Sequence, residues 1–355
     1  MPYISKSYLY LRYTVNSLLI ICMIVSPLLI SSCSDQKQQL NVFTWSGYVN
    51  DEIRTGFEKE FGVKVVVDTY ATNEDLLAKL SVGASGYDII MPSDYMVSIM
   101  IKSNLLAELN RDNIPNFDSI SPDYLDKYFD PENRYSVPYT FGTAGIAYDS
   151  DVVSPAPDSW TVLWNEKYKN QFSILDDPRE TPGLALKMLG YSLNTTDPEE
   201  LNQAKEKLIE QKPLVKQYKN EAEELLIAGE VVMAHCWSGD AFRAAAERPS
   251  LRYVIPKEGS SQFIDNVCIP KSAPNKDLAE KFVNYLLRPE INASVSAFTK
   301  YGTCVPAAKE HLPDEILKHE FIYPSVKVLQ SLEWIKDLGD FSTQYSRAWE
   351  EIKAK

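Results

Sequence analysis

The sequence predicts an α/β protein built of two lobes with a cleft between them. Short apolar, β-branched segments alternate with segments of helical spacing from Leu40 onward, and this alternation occurs twice along the chain. Two βαβ units in a row imply a parallel sheet with helices on both faces. The chain has 355 residues, 45% of them hydrophobic, which is enough to bury two cores.

The first alternation covers residues 40–91. Its predicted elements are a strand at 40–45, a helix at 51–61, a strand at 63–70, a helix at 74–80 and a strand at 87–91. In the first helix Ile53, Phe57 and Phe61 fall on one face, as expected for an amphipathic helix. Asn73 precedes the second helix and is its expected N-cap.

The second alternation begins near residue 172. Its predicted elements are a strand at 172–175, helices at 180–189, 199–210 and 221–228, a strand at 231–237, a helix at 241–247, a strand at 251–255, an extended segment at 265–269, a long helical stretch at 278–298 and a tail helix at 343–355. The chain is therefore expected to pass between the lobes more than once. We assign residues 40–142 and 264–309 to an N-lobe, and residues 143–263 and 310–355 to a C-lobe.

The N-terminus has the pattern of a secretory signal peptide, which we place at residues 1–32. Lys6 and Arg12 precede an apolar run at 18–30, and small residues follow it. The sequence ISSC at 30–33 also resembles the bacterial lipobox, in which the cysteine carries lipid. Cys33 is thus the expected lipidation site, and residues 33–39 would form a tether. An uncleaved signal anchor with an incidental cysteine is the alternative.

The charge and the cysteines exclude several classes of function. The formal net charge is -13, and removing residues 1–32, which contain two bases and no acid, leaves -15. An acidic chain argues against nucleic acid and against an anionic membrane surface as partners, and is compatible with a cationic ligand or simply with solubility. Cys236, Cys268 and Cys304 are scattered without a C-x-x-C pair, so zinc or redox chemistry is poorly supported.

Catalysis also lacks support in the sequence. His235 and Cys236 are adjacent, but neighbours in a strand point to opposite faces and cannot pair directly. The chain has no G-x-S-x-G, H-E-x-x-H or Walker loop, and its 3 histidines lack metal-ligand spacing. We therefore predict no enzyme activity, no metal and no cofactor.

Residues that directly follow the predicted strands are candidates for a ligand site, because ligands of open α/β sheets lie beyond the carboxyl ends of the strands. This set combines aromatic residues with carboxylates and contains no lysine; its members are Trp45, Tyr48, Ser93, Tyr95, Asp177, Glu180, Trp237, Asp240 and Asp265. Carboxylates supply charge-assisted hydrogen bonds to ammonium groups, and aromatic faces supply cation–π attraction. A flexible diamine or triamine requires both kinds of contact along a slot.

Each of these residues also has a structural alternative. Trp45 could belong to the core of a strand, and Tyr48 could staple the following helix. Asp177 to Glu180 has the form of a capping box with proline at the first helical position, and Asp240 could cap the helix at 241–247. The repetition of such residues at successive strand ends favours the ligand site.

The chain resembles the bacterial periplasmic polyamine-binding proteins, which are the spermidine/putrescine-binding components of ABC transporters. The resemblance extends over residues 40–355. Its segments are FTWSGYV at 43–49, YDIIMPSDY at 87–95, SVPY at 136–139, LDDPRE at 175–180, LGYS at 189–192, NTTDP at 194–198, YVIPKEG at 253–259, NYLLRPE at 284–290 and YG at 301–302.

The resemblance implies a two-lobe, type-II periplasmic-binding-protein fold that closes over its ligand by a hinge. It also implies roles for individual residues: aromatic walls from Trp45, Tyr48 and Trp237, N-lobe contacts from Ser93 and Tyr95, amine binding by Asp177, Glu180 and Asp265, packing against the ligand by Phe263 and Tyr301, and an acidic position of putrescine-type members at Asp240. The implied partners are a polyamine and an ABC permease, the working state is a monomer, and the location is periplasmic or extracytoplasmic.

Three positions depart from the spermidine-binding pattern. Gly47 stands where that pattern has an acid, Phe263 where it has a Trp, and Ile335 where it has a Gln. These departures leave the choice between putrescine and spermidine open, and Asp240 together with Gly47 favours putrescine. Another organic cation, an amino acid or a sensing role on the same fold remain alternatives. A carboxylate-binding protein should present an arginine in the slot, where the sequence offers only the nearby Arg179 between two acids.

Overall fold

The computed structural model describes residues 37–83 and 86–355. The predicted signal peptide and Cys33 lie outside the described residues. None of the helices within the described ranges is long and apolar enough to cross a membrane.

The order of elements follows the predicted alternation of strands and helices. The strands are β1 Gln39–Thr44, β2 Lys64–Thr69, β3 Ile89–Ile90, β4 Ser136–Asp149, β5 Phe172–Ile174, β6 Gln217–Tyr218, β7 Met233–Trp237, β8 Leu251–Val254, β9 Ser261–Cys268, β10 Gly302–Thr303 and β11 Glu333–Trp334. The helices are α1 Asp51–Phe61, α2 Asn73–Ser81, α3 Asp94–Lys102, α4 Glu180–Met188, α5 Pro198–Gln211, α6 Ala222–Ile227, α7 Ser238–Glu247, α8 Lys276–Leu286, α9 Pro289–Thr299, α10 Asp314–Leu317, α11 Val326–Leu329 and α12 Ser342–Ala354.

The N-lobe sheet is mixed: the parallel pairing predicted from the two βαβ units is present, and two antiparallel strands extend it. Strand β1 pairs in parallel with β2 and β3, as the βαβ pattern implies. Strand β9 then joins β3 in antiparallel orientation, and β4 pairs antiparallel with β9. These two strands cross between the lobes instead of closing a βαβ unit, so nothing in their connection requires the parallel direction.

Strand β4 belongs to both lobes and was not predicted. Its first half pairs with β9, from Ser136 opposite Cys268 to Thr143 opposite Gln262. Its second half pairs with β7 and β8 of the C-lobe. The strand is buried along nearly all of its 14 residues, so its sequence has no polar alternation that would mark it as a strand.

The C-lobe has its own sheet, in which β5 pairs in parallel with β6 and β7. Trp160 and Phe172 are fully buried in its core, where α12 contributes Tyr345. The N-lobe core contains Phe57 and Phe282, whose rings pack edge to face 4.9 Å apart. Burying side chains of this size contributes roughly 1.5–3 kcal/mol each, which makes the two cores the main source of stability.

The lobe assignment differs from the prediction at one boundary. Leu312, Ile316 and Ile322 are buried with the N-lobe core. The chain therefore enters the C-lobe later than the predicted residue 310.

Most predicted helices are present, and two local expectations were wrong. Helix α1 has the predicted bounds, and Asn50 caps it by accepting a hydrogen bond from the Ile53 amide. Thr72, not Asn73, is the N-cap of α2. The predicted long helix at 278–298 is two helices, because Pro289 cannot continue α8 and instead starts α9.

The three cysteines in the described part of the chain, Cys236, Cys268 and Cys304, are buried free thiols. They fill small apolar positions in the cores.

Candidate functional site

A cavity of about 420 Å³ lies between the two lobes. It brings together every residue that the sequence nominated for a ligand site, namely Trp45, Tyr48, Ser93, Tyr95, Asp177, Glu180, Trp237, Asp240, Phe263, Asp265 and Tyr301. The departing positions Gly47 and Ile335 line the same cavity. Sequence analysis missed other lining residues, among them Tyr70, Asn73, Asp94, Asn220, Glu221, Glu223, Glu224, Arg243, Phe298 and Thr299.

Asp265 on β9 is buried and held by the N-lobe. Its carboxylate accepts hydrogen bonds from the Tyr48 phenol and, at 2.6 Å, from Ser93 Oγ. Ser93 lies at the N-cap position of α3, but its side chain makes no capping hydrogen bond. Its hydroxyl donates to Asp265 instead. Burial raises the pKa of Asp265 to about 6, and the two hydrogen bonds oppose that rise. The carboxylate is therefore mostly ionised at neutral pH.

A second anionic group lies where β5 leads into α4. Asp177 Oδ1 accepts the backbone N–H groups of Arg179 and Glu180, both at 2.8 Å. Glu180 accepts from Ser261 Oγ at 2.9 and 2.7 Å. Burial, together with the charge of Asp177, raises the pKa of Glu180 to about 7.

The predicted capping box at this corner is only half formed. Asp177 does bind the first amides, but α4 begins at Glu180, so Pro178 is not its first helical residue. The Glu180 side chain turns towards Ser261 and not back to Asp177. It is therefore available to the cavity.

Arg179, the arginine nearest to the predicted slot, points away from it. Its Nη1 donates to the Lys336 carbonyl at 2.9 Å and its Nη2 to Asn194 Oδ1 at 3.2 Å. Its guanidinium carbon lies 4.8 Å from the centre of the Tyr345 ring. These contacts hold the guanidinium behind the cavity wall.

Glu74 forms a further buried carboxylate behind this wall. Tyr95 donates its hydroxyl hydrogen to Glu74 Oε1 at 3.1 Å, and Glu74 Oε2 has no hydrogen-bond partner among the described residues. Burial and the neighbouring Asp177 charge raise the pKa of Glu74 to about 7.

Aromatic rings from both lobes form the walls. The ring centres of Trp45, which follows β1, and Trp237, which ends β7, are 6.5 Å apart. Tyr301 packs edge to face on Phe263 at 5.5 Å and on Tyr48 at 6.1 Å. Such faces attract cations and cover apolar methylene groups.

Gly47 cannot readily be replaced by the acid of the spermidine-binding pattern. Its φ of +82° is strained for residues with a side chain, and a Cβ there would lie 3.1 Å from Phe298 Cε1. The Phe298 ring, which is 50% exposed, therefore takes up the space beside Gly47.

The alternative role of Asp240 as a helix cap is not observed, because α7 already begins at Ser238 and places Asp240 in its first turn. Its carboxylate accepts a hydrogen bond from Arg243 Nη2. Arg243 Nε donates to Glu223 Oε2 at 2.6 Å, and Nη1 donates to the Thr299 carbonyl at 2.6 Å. Burial raises the pKa of Asp240 to about 6, and the charge of Arg243 opposes that rise.

The lining is strongly anionic. Eight of the described lining residues are acids, namely Asp94, Asp177, Glu180, Glu221, Glu223, Glu224, Asp240 and Asp265, and one, Arg243, is a base. Carboxylates concentrated between aromatic walls suit an organic cation.

Hydrogen bonds between the lobes lie beside the cavity. Asn220 Nδ2 of the C-lobe donates to the Ala71 carbonyl of the N-lobe at 3.4 Å. The bond from Arg243 to Thr299 also crosses between the lobes.

The chain matches the family model of bacterial extracellular solute-binding proteins over residues 52–320. A spermidine/putrescine-binding periplasmic protein of Salmonella typhimurium is 37% identical over 318 residues, which cover 89% of this chain and 91% of the relative. These matches agree with the resemblance seen in the sequence segments.

Solved structures are similar over the same range. One, from Listeria monocytogenes and described as a spermidine/putrescine ABC transporter, matches with a TM-score of 0.86 and 38% identity, and covers 89% of this chain and 99% of that one. The TpPotD lipoprotein of Treponema pallidum matches with a TM-score of 0.81 and 31% identity over 90% of this chain and all of that one. The predicted two-lobe α/β fold is confirmed.

Proposed function

This chain belongs to the bacterial extracellular solute-binding proteins, and from that membership we propose that it captures a polyamine, putrescine or spermidine, and delivers it to an ABC importer. The observation that supports this proposal most directly is the cavity lining, in which eight acids and one base are set between aromatic walls. The names of the relatives point to the same class of ligand.

One ammonium group binds at Asp265. Its carboxylate is already oriented by Tyr48 and Ser93, so little rearrangement is needed when the ligand enters. The bond is charge-assisted and lies in a buried site, where an ammonium without its carboxylate would be costly.

The other ammonium group binds at Asp177 and Glu180, at the opposite side of the cleft. The methylene chain between the two groups lies along Trp45 and Trp237, with Phe263 and Tyr301 beneath it. A ligand held in this way contacts both lobes, so it favours the closed arrangement over the open one. No bond is made or broken, and we assign the chain no catalytic role.

An amino acid is a weaker candidate for the ligand. It would need a free cation in the cavity for its carboxylate, and the lining base Arg243 uses each of its three nitrogens on Glu223, Thr299 and Asp240. The cavity therefore offers carboxylates to amines but no unengaged arginine to an acid.

Outside the cytoplasm, the protein is held at the membrane surface by lipid on Cys33 and works as a monomer that docks on a permease. The support for the lipid is the ISSC sequence at 30–33 and the lipoprotein from Treponema pallidum among the similar structures. A sensor that passes the closed form to a receptor is the second candidate, because the same closure would serve it.

Calorimetric titration of residues 34–355, stripped of ligand, tests the proposal. Putrescine and spermidine are the probes, and ornithine, a diamine with a carboxylate, is the control. Micromolar or tighter binding of either polyamine, and much weaker binding of ornithine, is expected. A folded, empty protein that releases no heat with either polyamine would overturn the proposal.

A further inference from the structure

At one end of the cavity, the arginine side chain of Arg243 already pairs with the carboxylates that line it. Arg243 binds the buried carboxylate of Asp240 and the partly exposed carboxylate of Glu223. Its third nitrogen donates to the Thr299 carbonyl across the cleft. Arg243 thus makes the contacts that a ligand ammonium group would otherwise make there: a buried acid and a bond to the other lobe.

The sequence of α7 produces this arrangement. Gly239 lets the helix approach the N-lobe closely, since a Cβ at this position would lie 2.6 Å from the Thr299 carbonyl oxygen. Arg243 comes four residues later, on the same face of the helix, so its guanidinium reaches that carbonyl. Asp240 is three residues before Arg243, which is the spacing of a helical ion pair.

On the N-lobe side, this end of the cavity gains no acid from position 47. Gly47, where the spermidine-binding pattern has an acid, contributes only backbone, and the ring of Phe298 covers it. Phe298 directly precedes Thr299, so the apolar ring and the carbonyl that Arg243 binds are neighbours.

In the rest of the cavity, Asp265 and the neighbours Asp177 and Glu180 form two anionic groups without an ion-pair partner among the described residues. Glu221 and Glu224 pair with Lys219. Asp94 also lacks a cation within the described ranges, but burial raises its pKa well above the usual range, which favours its neutral form. Asp265 accepts hydrogen bonds from the Tyr48 and Ser93 hydroxyls, and Glu180 accepts from the Ser261 hydroxyl. Asp177 accepts backbone amides, while the guanidinium of Arg179 is bound to Lys336 and Asn194. The described cavity thus presents two places where an incoming ammonium group meets a carboxylate not already paired with a cation.

We propose that Arg243 determines specificity by occupying the place of a third ammonium group, so that the cavity selects diamines over triamines. This inference rests on the proposed polyamine function. A triamine would have to bring its third charge next to the Arg243 guanidinium, or leave that charge without a partner. A diamine fills both unpaired anionic groups and leaves the Arg243 cluster intact.

The decisive variant is Arg243→Met, which keeps an unbranched apolar stem and removes the charge. It frees the carboxylates of Asp240 and Glu223 to bind an ammonium group, so the ratio of spermidine affinity to putrescine affinity should rise by about tenfold or more. Arg243→Lys keeps the cation and should keep the selectivity of the parent. Arg54→Met, which removes an arginine with acidic partners on the surface of α1, is the matched control and should leave the ratio unchanged.

A triple variant identifies the freed acids. In Arg243→Met with Asp240→Asn and Glu223→Gln, the gain for spermidine should disappear, because the two amides cannot supply the negative charges that Arg243 releases. Circular dichroism of each variant without ligand establishes that it is folded before titration. If Arg243→Met does not fold, Arg243→Lys still tests the proposal. This variant keeps the positive charge, so a changed ratio of spermidine affinity to putrescine affinity would contradict the proposed role of that charge.

The titrations separate two kinds of failure. If the parent binds neither putrescine nor spermidine, the proposed function is wrong. If the parent binds both and the ratio is the same in Arg243→Met, or if it already prefers spermidine, the polyamine function stands and the role of Arg243 is wrong.

Discussion

Ser93 and Asp265 are joined both through their side chains and through their backbones. Ser93 Oγ donates to Asp265 Oδ1 at 2.6 Å, and the two residues form an isolated antiparallel bridge. This connection ties the end of β3, in the N-lobe, to β9, which crosses towards the C-lobe. The carboxylate is therefore oriented before any ligand arrives.

The first prediction concerns this carboxylate. Asp265→Asn should weaken diamine binding by at least about thirtyfold, because a buried ammonium that loses its carboxylate partner costs roughly 2–5 kcal/mol. Ser93→Ala should weaken binding far less, since Tyr48 still orients the carboxylate. Titration calorimetry at pH 7.5 measures both, and equal affinities for Asp265→Asn and the parent would remove Asp265 from the site.

The second prediction is that affinity falls in acid. The empty protein holds Asp265 with a pKa of about 6 and Glu180 with a pKa of about 7, and both must be ionised to bind amines. The ligand's primary amines stay protonated throughout this range. Between pH 8 and pH 5 the affinity should drop by at least about tenfold, with protons released on binding at the lower pH. A dissociation constant that is the same at both values would contradict the carboxylate model.

The third prediction concerns stability without ligand. The pKa of Glu180 is higher in the folded protein than in the unfolded chain, so the folded state binds more protons between about pH 4.5 and pH 7. Glu180 therefore contributes to the free energy of unfolding at low pH, and this contribution disappears as the pH rises through 7. Glu180→Gln lacks this dependence.

Urea unfolding of the empty protein at pH 5 and pH 8 measures the effect. The stability of Glu180→Gln relative to the parent should increase by about 1–3 kcal/mol from pH 5 to pH 8. Glu206→Gln, on α5 and away from the cavity, is the control and should show no such trend. If the stability of Glu180→Gln relative to the parent instead decreases from pH 5 to pH 8, Glu180 is stabilised as an anion by contacts other than those described.

The fourth prediction addresses the aromatic wall. Trp237→Leu keeps an apolar surface against the methylene chain but removes the ring face, so diamine affinity should fall by about three- to thirtyfold. Trp164→Leu is the control, because Trp164 packs in the C-lobe and donates to the Lys207 carbonyl away from the cavity. If the two variants bind alike, the ring of Trp237 is not part of the site.

The fifth prediction concerns the N-terminus. Cells given a radiolabelled or clickable fatty acid should label the parent protein but not Cys33→Ser, and the variant should leave the membrane fraction. Cys304→Ser, a buried cysteine of the N-lobe, should still be labelled. Labelling of Cys33→Ser would point to an anchor elsewhere in the chain.

The sequence was sufficient to predict the cavity residues that follow strands. Trp45, Ser93, Asp177 and Trp237 follow strands whose carboxyl ends face the cavity, and the positions of these strand ends can be predicted from periodicity. Periodicity could not find Arg243 and Phe298, because they lie on helix surfaces that meet only when the lobes pack together. The i, i+3 pair with Asp240 was the one local signal for Arg243.

The same limit explains the missed strand. Strand β4 is covered on both faces, and Gly142 and Gly145 lie along it because rings and backbone press against them: a Cβ at Gly142 would lie 2.6 Å from Phe263 Cζ, and one at Gly145 would lie 2.6 Å from the Val254 carbonyl oxygen. Glycines and the lack of alternation are poor strand signals in isolation. The positions of these glycines are explained only by the side chains and backbone that pack against them in the folded protein.

Strand β4 also has a consequence for how the protein folds. Its first half pairs with N-lobe strand β9 and its second half with C-lobe strands β7 and β8. Because the two halves are one continuous strand, the folding of one lobe constrains the strand that the other lobe needs. The lobes should therefore melt together as one cooperative unit, and a chain cut between Thr143 and Ala144 should yield two fragments that fold only when combined.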